Sequence, residues 1–503
     1  MERTEPTTVL AVDLGAESGR VCAVTAADGK LRLREVHRFR NVPVRAGDTL
    51  YWDALSLWHE VESGVRQGLA LGPASVGVDA WGVDFGLLDA EGRLLGNPVH
   101  YRDARTDGLL DALCQRLPRE AIFGATGIQF MPINTSVQLL SQMLGEDPRL
   151  AVASKLLLIP DLMHMWLCGA QVSEYTNATT TQLYDQAAGR WSEAMLGAIG
   201  IDPALMPEVV APGTKLGEHD GLSVIVPATH DTASAVAAVP ARGMDFAYIS
   251  SGTWSLVGLE VDEPRTGPAA LAANVTNEGG VAGTTRLLKN VMGLWVLQQC
   301  AKSWQAAGAA GRALDYREVA RAAAGATPLA ASFDVDHPDF LQPGDHVALV
   351  RRHCRRRGGP VPETVAEVAR AVLESLAFAY RRALEAVERV AGRSAGVIHV
   401  VGGGARNELL CQLTAEATGR PVVAGPAEAT ALGNAGVQLI GLGRLGGLPD
   451  LRAHVRRAIR LRHHEARQPR ALWDDVYARW SDANDAYSNH TYPKHTAADR
   501  EDR

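Results

Sequence analysis

Residues Val9 to Val24, VLAVDLGAESGRVCAV, read as an apolar strand, a tight turn of small and polar residues, and a second apolar strand. Residues Phe246 to Glu260, FAYISSGTWSLVGLE, repeat that plan at the head of the second half. Each is a β-hairpin pattern. The turn residues are small and rich in hydroxyls, so main-chain N–H groups can face an anion without side chains in the way. Two such hairpins predict a duplicated α/β chain that grips a polyphosphate from both sides.

Outward from the first hairpin, strands alternate with helical segments. Ala74 to Asp79 and Gly82 to Asp89 read as strands, and Leu156 to Ile159 precedes Pro160 and a helix through Trp166. Ser223 to Val226 feeds a turn and helix over Ala228 to Val239, and Pro240 to Gly243 punctuates the chain there. In the second half, Pro362 to about Ala391 carries apolar residues at helical spacing, with Gly392 as its stop. A strand at Val397 to Val401, the turn Gly402 to Gly404 and a helix from about Asn407 to Thr418 follow. Pro421 to Ala424 and Ala429 to Gly441 add another strand and helix, and the polar end beyond about Asp485 is expected to fray. Alternation of this kind predicts mainly parallel sheets covered by helices, with antiparallel strands from the hairpins. The expected architecture is α/β: two domains, each a mixed sheet flanked by helices, with a cleft between them.

The bulk properties agree with an enzyme. A chain of 503 residues exceeds one ordinary core. Its 46% hydrophobic and 21% charged residues suit a globular protein, and a net charge of −7 argues against nucleic acid or an anionic membrane as partner. The basic run Arg351, Arg352, Arg355, Arg356 and Arg357 has no aromatic platform beside it and reads as a solvated loop face. None of the six cysteines forms a CxxC pair, so neither a zinc site nor a disulfide framework is indicated. The polar N-terminus lacks the features of a signal peptide, and no apolar stretch approaches a membrane span, so a cytoplasmic location is expected.

The familiar phosphate-binding devices are missing or misplaced. GxxxxGK[ST] does not occur, and the one formal GxGxxG, at Gly441, Gly443 and Gly446, follows a helix instead of a strand. The hairpin turns are better placed. Asp13, at the end of a strand, could hold Mg²⁺ through water, while the backbone from Gly15 to Gly19, with Ser18 and Arg20, meets phosphate oxygens. A plain tight hairpin is the alternative. Gly402 to Gly404, between strand and helix, would let a ligand approach the backbone; small residues for packing would look the same. His230-Asp231-Thr232 lies at a strand end ahead of a helix, where Asp or Thr is an ordinary cap. A carboxylate there could equally accept the proton of a hydroxyl being phosphorylated. Asp79 to Phe85 with Tyr101 to Thr106 could line a polyol pocket, against core packing of Trp81 and Phe85.

Long strings of this chain resemble the FGGY carbohydrate kinase family. They run in family order: AVDLGAESGR (11–20), GVDAWGVDF (77–85), YRDART (101–106), EYTNATTTQL (174–183), HDTASAV (230–236), SSGTWSL (250–256), NVTNEGG (274–280), LKNVMGLW (288–295) and VGGG (401–404). The resemblance implies two actin-like, ribonuclease H-like domains. It places an N-terminal, mainly sugar-binding domain at 1–240, a mainly ATP-binding domain at 241–455, and a C-terminal helix and tail at 456–503. It implies transfer of the γ-phosphoryl group of ATP–Mg²⁺ to the 1-hydroxyl of a ketose, with L-rhamnulose, from L-rhamnose degradation, the expected substrate. L-fuculose or D-xylulose is the alternative within the family, and a non-catalytic actin-like nucleotide sensor the alternative outside it. Asp231 becomes the proton acceptor, and Gly82, His230, Thr232 and Asn290 become sugar contacts. Ala16, Glu17, Ser18, Gly19, Arg20, Thr253, Gln298 and Gly403 become ATP contacts. Glu17 stands where some relatives have Ser, a change that backbone contacts should survive. Sugar and ATP are the expected partners, for a monomer or homodimer.

Overall fold

The computed structural model describes residues 5–306 and 316–488. The first hairpin forms β1 (Thr7–Leu14) and β2 (Ser18–Ala27), in register from Thr7 opposite Ala26 to Leu14 opposite Gly19. The chain then turns through Asp28 and Gly29, both at positive φ, into β3 (Lys30–Arg40). That third strand is charged and largely exposed, which hides it from hydrophobic patterning, although the Asp-Gly turn is a hairpin signal. β4 (Ser75–Ala80), β5 (Lys215–His219) and β6 (Leu222–Ile225) complete a sheet of order β5-β6-β4-β1-β2-β3.

The second hairpin forms β7 (Ala247–Ser251) and β8 (Ser255–Val261). With β9 (Thr276–Gly279), β10 (Thr285–Val291), β11 (Ile398–Val401), β12 (Val422–Ala424) and β13 (Arg462–His464) it builds a sheet of order β9-β10-β8-β7-β11-β12-β13. Both sheets share a plan. The leading strand has its hairpin partner antiparallel on one side and a later strand parallel on the other: β4 beside β1, β11 beside β7. The fold is the two-domain actin-like one, each domain a mixed sheet flanked by helices.

Helices α1 (Ala54–Gly68), α2 (Asp231–Ala237) and α3 (Ala429–Gly441) explain why β1 is apolar on both faces. Leu10, Val12 and Leu14 join a core with Leu57, Val61 and Val65 of α1. Val9 and Ala11 face the other way, into a core shared by Val236 of α2, Leu432 and Leu439 of α3, and Tyr248 and Leu256 of the second sheet. α2 and α3 touch so closely that a Cβ at Gly433 would run into the Ser234 carbonyl. α3 also sends two buried amides to the first sheet. Gln438 donates to Leu10 O at 2.9 Å and accepts from Ser75 Oγ at 2.7 Å, while Asn434 reaches Asp79.

The chain forms two compact units. The larger comprises Met1–Asn290, Ala383–Arg406 and Val423–His463 and contains both hairpins; the smaller comprises Val291–Arg382, Asn407–Val422 and His464–Arg503. Phe378, Trp473, Tyr477 and Trp480 pack ring on ring in the smaller unit. The basic run there lies on a helix, His346–Arg356, and not on a loop. Arg351 bonds the Pro362 and Glu363 carbonyls, and Arg357, just past the helix, bonds Trp480 O. The long helix starts at Val365 and ends at Ala391, where Gly392 takes φ 69°. Residues 489–503, within the tail expected to fray, lie outside the described residues.

Candidate active site

Asp13 in β1 and Asp79 in β4 are register partners on parallel strands. His230 bridges Ala80, one residue further along, and Asp231 opens α2. Three carboxylates from successive strand ends are thereby gathered. Asp13 raises the proton affinity of both Asp79 and Asp231. Asp79 is sealed from solvent, and burial above all pushes its pKa well up; the amide of Asn434, 2.5 Å from Oδ2, works against this. Among the described residues its Oδ1 has no hydrogen-bond partner. An orphaned buried oxygen beside two further carboxylates fits a divalent cation or a water bound to one.

Asp13 Oδ2 accepts from Arg20 Nε at 2.9 Å and Nη2 at 2.6 Å. The remaining Arg20 nitrogen, Nη1, pairs with Glu428, a partner more than 400 residues away that nothing local in the sequence announces. Arg20 is therefore clamped by two acids at the first turn. Within that turn Gly15 N–H bonds Ser18 O at 3.0 Å, and Asn41 ties down the Gly15 carbonyl and, through its own N–H, that of Glu17.

Asp231 does no capping. His230 occupies the cap position, without a side-chain cap bond, and Asp231 is the first helical residue. Its side chain keeps 31% of its surface exposed, so the carboxyl is recessed but reachable. Burial first, then Asp13, raises its pKa, opposed by His230 and by Thr232 Oγ1, which donates to Oδ1 at 3.1 Å. The loop before it is held from below by buried Glu174, a residue with no assigned role in the sequence reading. Glu174 Oε2 accepts from Thr229 N at 2.8 Å and Thr229 Oγ1 at 2.9 Å.

The Trp81–Asp84 segment is a second built loop. Val83 takes φ 68°, costly for a β-branched residue, and is held by Thr135 Oγ1 on its carbonyl at 2.6 Å. Below it the buried Asp84 accepts from the indoles of Trp52 (2.6 Å) and Trp81 (2.9 Å), from Gln138 (2.9 Å) and from Tyr101 N (3.3 Å). Burial raises its pKa to about 6 against those donors. Trp81 is thus both a core residue and a positioned ring, and Trp52, absent from the sequence reading, packs against it with ring centroids 4.2 Å apart and planes tilted by 39°. Gly82 lies against Thr180, whose Oγ1 would sit 2.9 Å from an added Cβ. Arg102 stacks over Tyr101 and over Trp254 of the second hairpin turn, so the two halves meet here.

Asp13, Arg20, His230, Asp231 and Thr232 are accordingly brought together, joined by Asp79. Thr253 sits in the β7–β8 turn, and Gly404 packs against Ser251 at its edge, leaving the neighbouring Gly403 in open space. Asn290 donates from its backbone N–H and its side-chain amide to Gln129 Oε1, and Gln298 lies on the Trp295–Ala306 helix of the smaller unit. Gly441, Gly443 and Gly446 follow α3, as their helical context predicts for a decoy. None of the six cysteines forms a disulfide. Among the described residues, no helix is long and apolar enough to cross a membrane. His337, Asp339 and His353 cluster in the smaller unit at metal-ligand spacing. They already satisfy one another: His353 Nε2 is 2.9 Å from Asp339, Arg352 pairs with the same carboxylate, and His337 Nδ1 accepts Asp339 N–H.

Comparison with known proteins defines the class. Residues 8–225 match the N-terminal domain, and residues 247–442 the C-terminal domain, of the FGGY family of carbohydrate kinases. The chain belongs to this family and is a carbohydrate kinase, a phosphotransferase. Within the family it is similar to a rhamnulokinase from Bacteroides thetaiotaomicron, 40% identical over 479 residues, covering 93% of this chain and 97% of the relative. A rhamnulokinase from Pectobacterium carotovorum subsp. carotovorum is 42% identical over 453 residues, 88% of this chain and 90% of the relative. In fold it is similar to a ligand-bound xylulose kinase from Lactobacillus acidophilus (TM-score 0.78, 16% identity, 96% of this chain and 98% of that one). A Plasmodium falciparum glycerol kinase with ADP gives a TM-score of 0.73 at 14% identity over 95% and 98% of the two chains.

Proposed function

We propose that this chain phosphorylates the 1-hydroxyl of L-rhamnulose with ATP in the cytoplasm, as a step in L-rhamnose degradation, and that Asp231 is the general base. The observation that carries the substrate is identity of about 40% with proteins named rhamnulokinase along nearly the whole of both chains. What supports the base is geometry. Asp231 is the one carboxylate of the three that is neither paired with an arginine nor sealed, and it stands at a strand end where α/β folds present ligands.

In the proposed step the sugar O1 attacks the γ-phosphorus in line. The O1–P bond forms, the bond to the bridging β,γ-oxygen breaks with its electron pair going to ADP, and the O1 proton passes to Asp231. A base whose pKa is raised by burial takes that proton more readily than an ordinary exposed Asp. Asp13 and Asp79 would hold Mg²⁺, which neutralises phosphate charge when bound. The Gly15–Gly19 backbone, Thr253 and Gly403 take the nucleotide phosphates, with sugar contacts falling mainly to residues 1–240, and Asp84 orients Trp81 and Tyr101 near Gly82.

An ATP-coupled assay over L-rhamnulose, L-fuculose and D-xylulose tests the substrate. The highest kcat/KM is expected with L-rhamnulose; a preference for either other sugar overturns the assignment. Asp231→Asn should lower kcat about 10²–10⁴-fold with sugar affinity largely kept. Near-normal turnover of that variant removes Asp231 from its role.

A further inference from the structure

His230 Nδ1 has two polar neighbours behind it: Arg286 Nη2 at 3.0 Å and Glu278 Oε2 at 3.2 Å. Only the first meets hydrogen-bond geometry; among the described residues Glu278 Oε2 has no hydrogen-bond partner. Arg286 is wholly buried. Its Nε is spent on Gly279 O at 2.8 Å, and its Nη1 lies 3.1 Å from Glu278, whose carboxylate balances the charge. The guanidinium sits at the β9–β10 pair, so the second sheet supplies the group that backs a side chain of the first half.

A guanidinium only donates. The nitrogen it donates to must carry a lone pair, which puts the imidazole proton on Nε2. That atom lies 3.6 Å from Asp231 Oδ1, at ion-pair and not hydrogen-bond distance, and catalytic contacts of this kind commonly tighten only in the substrate complex. Thr232 Oγ1 already donates to the same oxygen. With Thr232 Oγ1 donating to Oδ1 and His230 Nε2 nearest the same oxygen, Oδ2 is left to take the sugar proton.

We infer that Arg286, balanced by Glu278, is a positioning residue that holds His230 in the Nε2–H form, so that His230 orients Asp231 and selects Oδ2 as the proton-accepting oxygen. This rests on the reading of Asp231 as base. It makes His230 more than the sugar contact that the family resemblance implies, and it gives the buried Arg286–Glu278 pair a purpose besides packing.

Isosteres separate the two ring nitrogens: the amide nitrogen of Gln falls near Nε2, that of Asn near Nδ1. Both variants lose a sugar contact, so the comparison is between them: His230→Asn should have a kcat at least about tenfold below that of His230→Gln. ¹⁵N-histidine spectra of the intact protein, with the His230→Gln spectrum for assignment, should show Nε2 protonated and Nδ1 not. Arg286→Lys should retain more turnover than Arg286→Met; if the Met variant does not fold, the spectrum of the parent still decides. A protonated Nδ1, or equal kcat for the Asn and Gln variants, overturns the inference while an inactive Asp231→Asn leaves the base standing. An active Asp231→Asn instead removes the base itself.

Discussion

Asp84→Asn offers a measurement in which sign and size both follow from one buried group. Asp84 has no exposed surface, and its pKa in the folded protein is about 6 against an ordinary 3.8. A carboxyl with a raised folded pKa favours the folded state where it is protonated and loses that advantage as pH climbs. Below the ordinary value both states hold the proton; between the two values only the folded state does; above about 6 neither does. Stability from this group therefore falls by about 1.4 kcal/mol per pH unit across that window, about 3 kcal/mol in all. Asparagine cannot titrate. It keeps a carbonyl for the Trp52 and Trp81 indoles but turns an NH₂ towards Gln138. Gln138 cannot flip without losing Arg105, which donates to its Oε1 at 2.7 Å, though Ile133 O still accepts from its amide. The mismatch costs about 1–3 kcal/mol at any pH. The variant should be the less stable protein at about pH 4.5 and gain about 2 kcal/mol on the parent by about pH 7.5. Urea midpoints of both proteins across that range provide the test, because titrations common to both cancel in the difference. Two stability curves that run parallel would refute the claim that Asp84 holds its proton near pH 6.

Two further outcomes follow from packing. Gly82→Ala would press a Cβ against Thr180, which is held by its bond to Asn177 O at 2.8 Å. KM for the ketose should rise about tenfold, with recovery in Gly82→Ala/Thr180→Ala; steady-state kinetics that leave KM unchanged would separate Gly82 from the sugar site. Trp480→Ala empties a ring-packed site and orphans Phe333 O, to which the indole donates at 2.8 Å. A loss of about 3–5 kcal/mol in the smaller unit is expected, read as early loss of its amide protection in hydrogen exchange while β1 and β7 stay protected.

Local chemistry accounts for what could be read without coordinates. Apolar alternation with small polar turns marks β1–β2 and β7–β8, and strand–glycine–helix order marks β11 and its turn, because these patterns are written within a dozen residues. β3 escaped because KLRLREVHRFR is too charged to look like a strand; it is an exposed sheet edge whose pairing with β2 supplies the stabilisation.

The sequence alone determined the duplicated α/β fold, the family, and Asp13 and Asp231 as acids at strand ends. Only the tertiary structure decided how those acids are conditioned. Asp79 is left with an orphaned oxygen, Arg20 is clamped by Glu428, Glu174 grips Thr229, and Arg286 backs His230. The physical reason is that a buried polar group is defined by its partners. Those partners come from other strands and helices, 55 residues away for Thr229–Glu174 and 408 for Arg20–Glu428, and no periodicity or spacing records them.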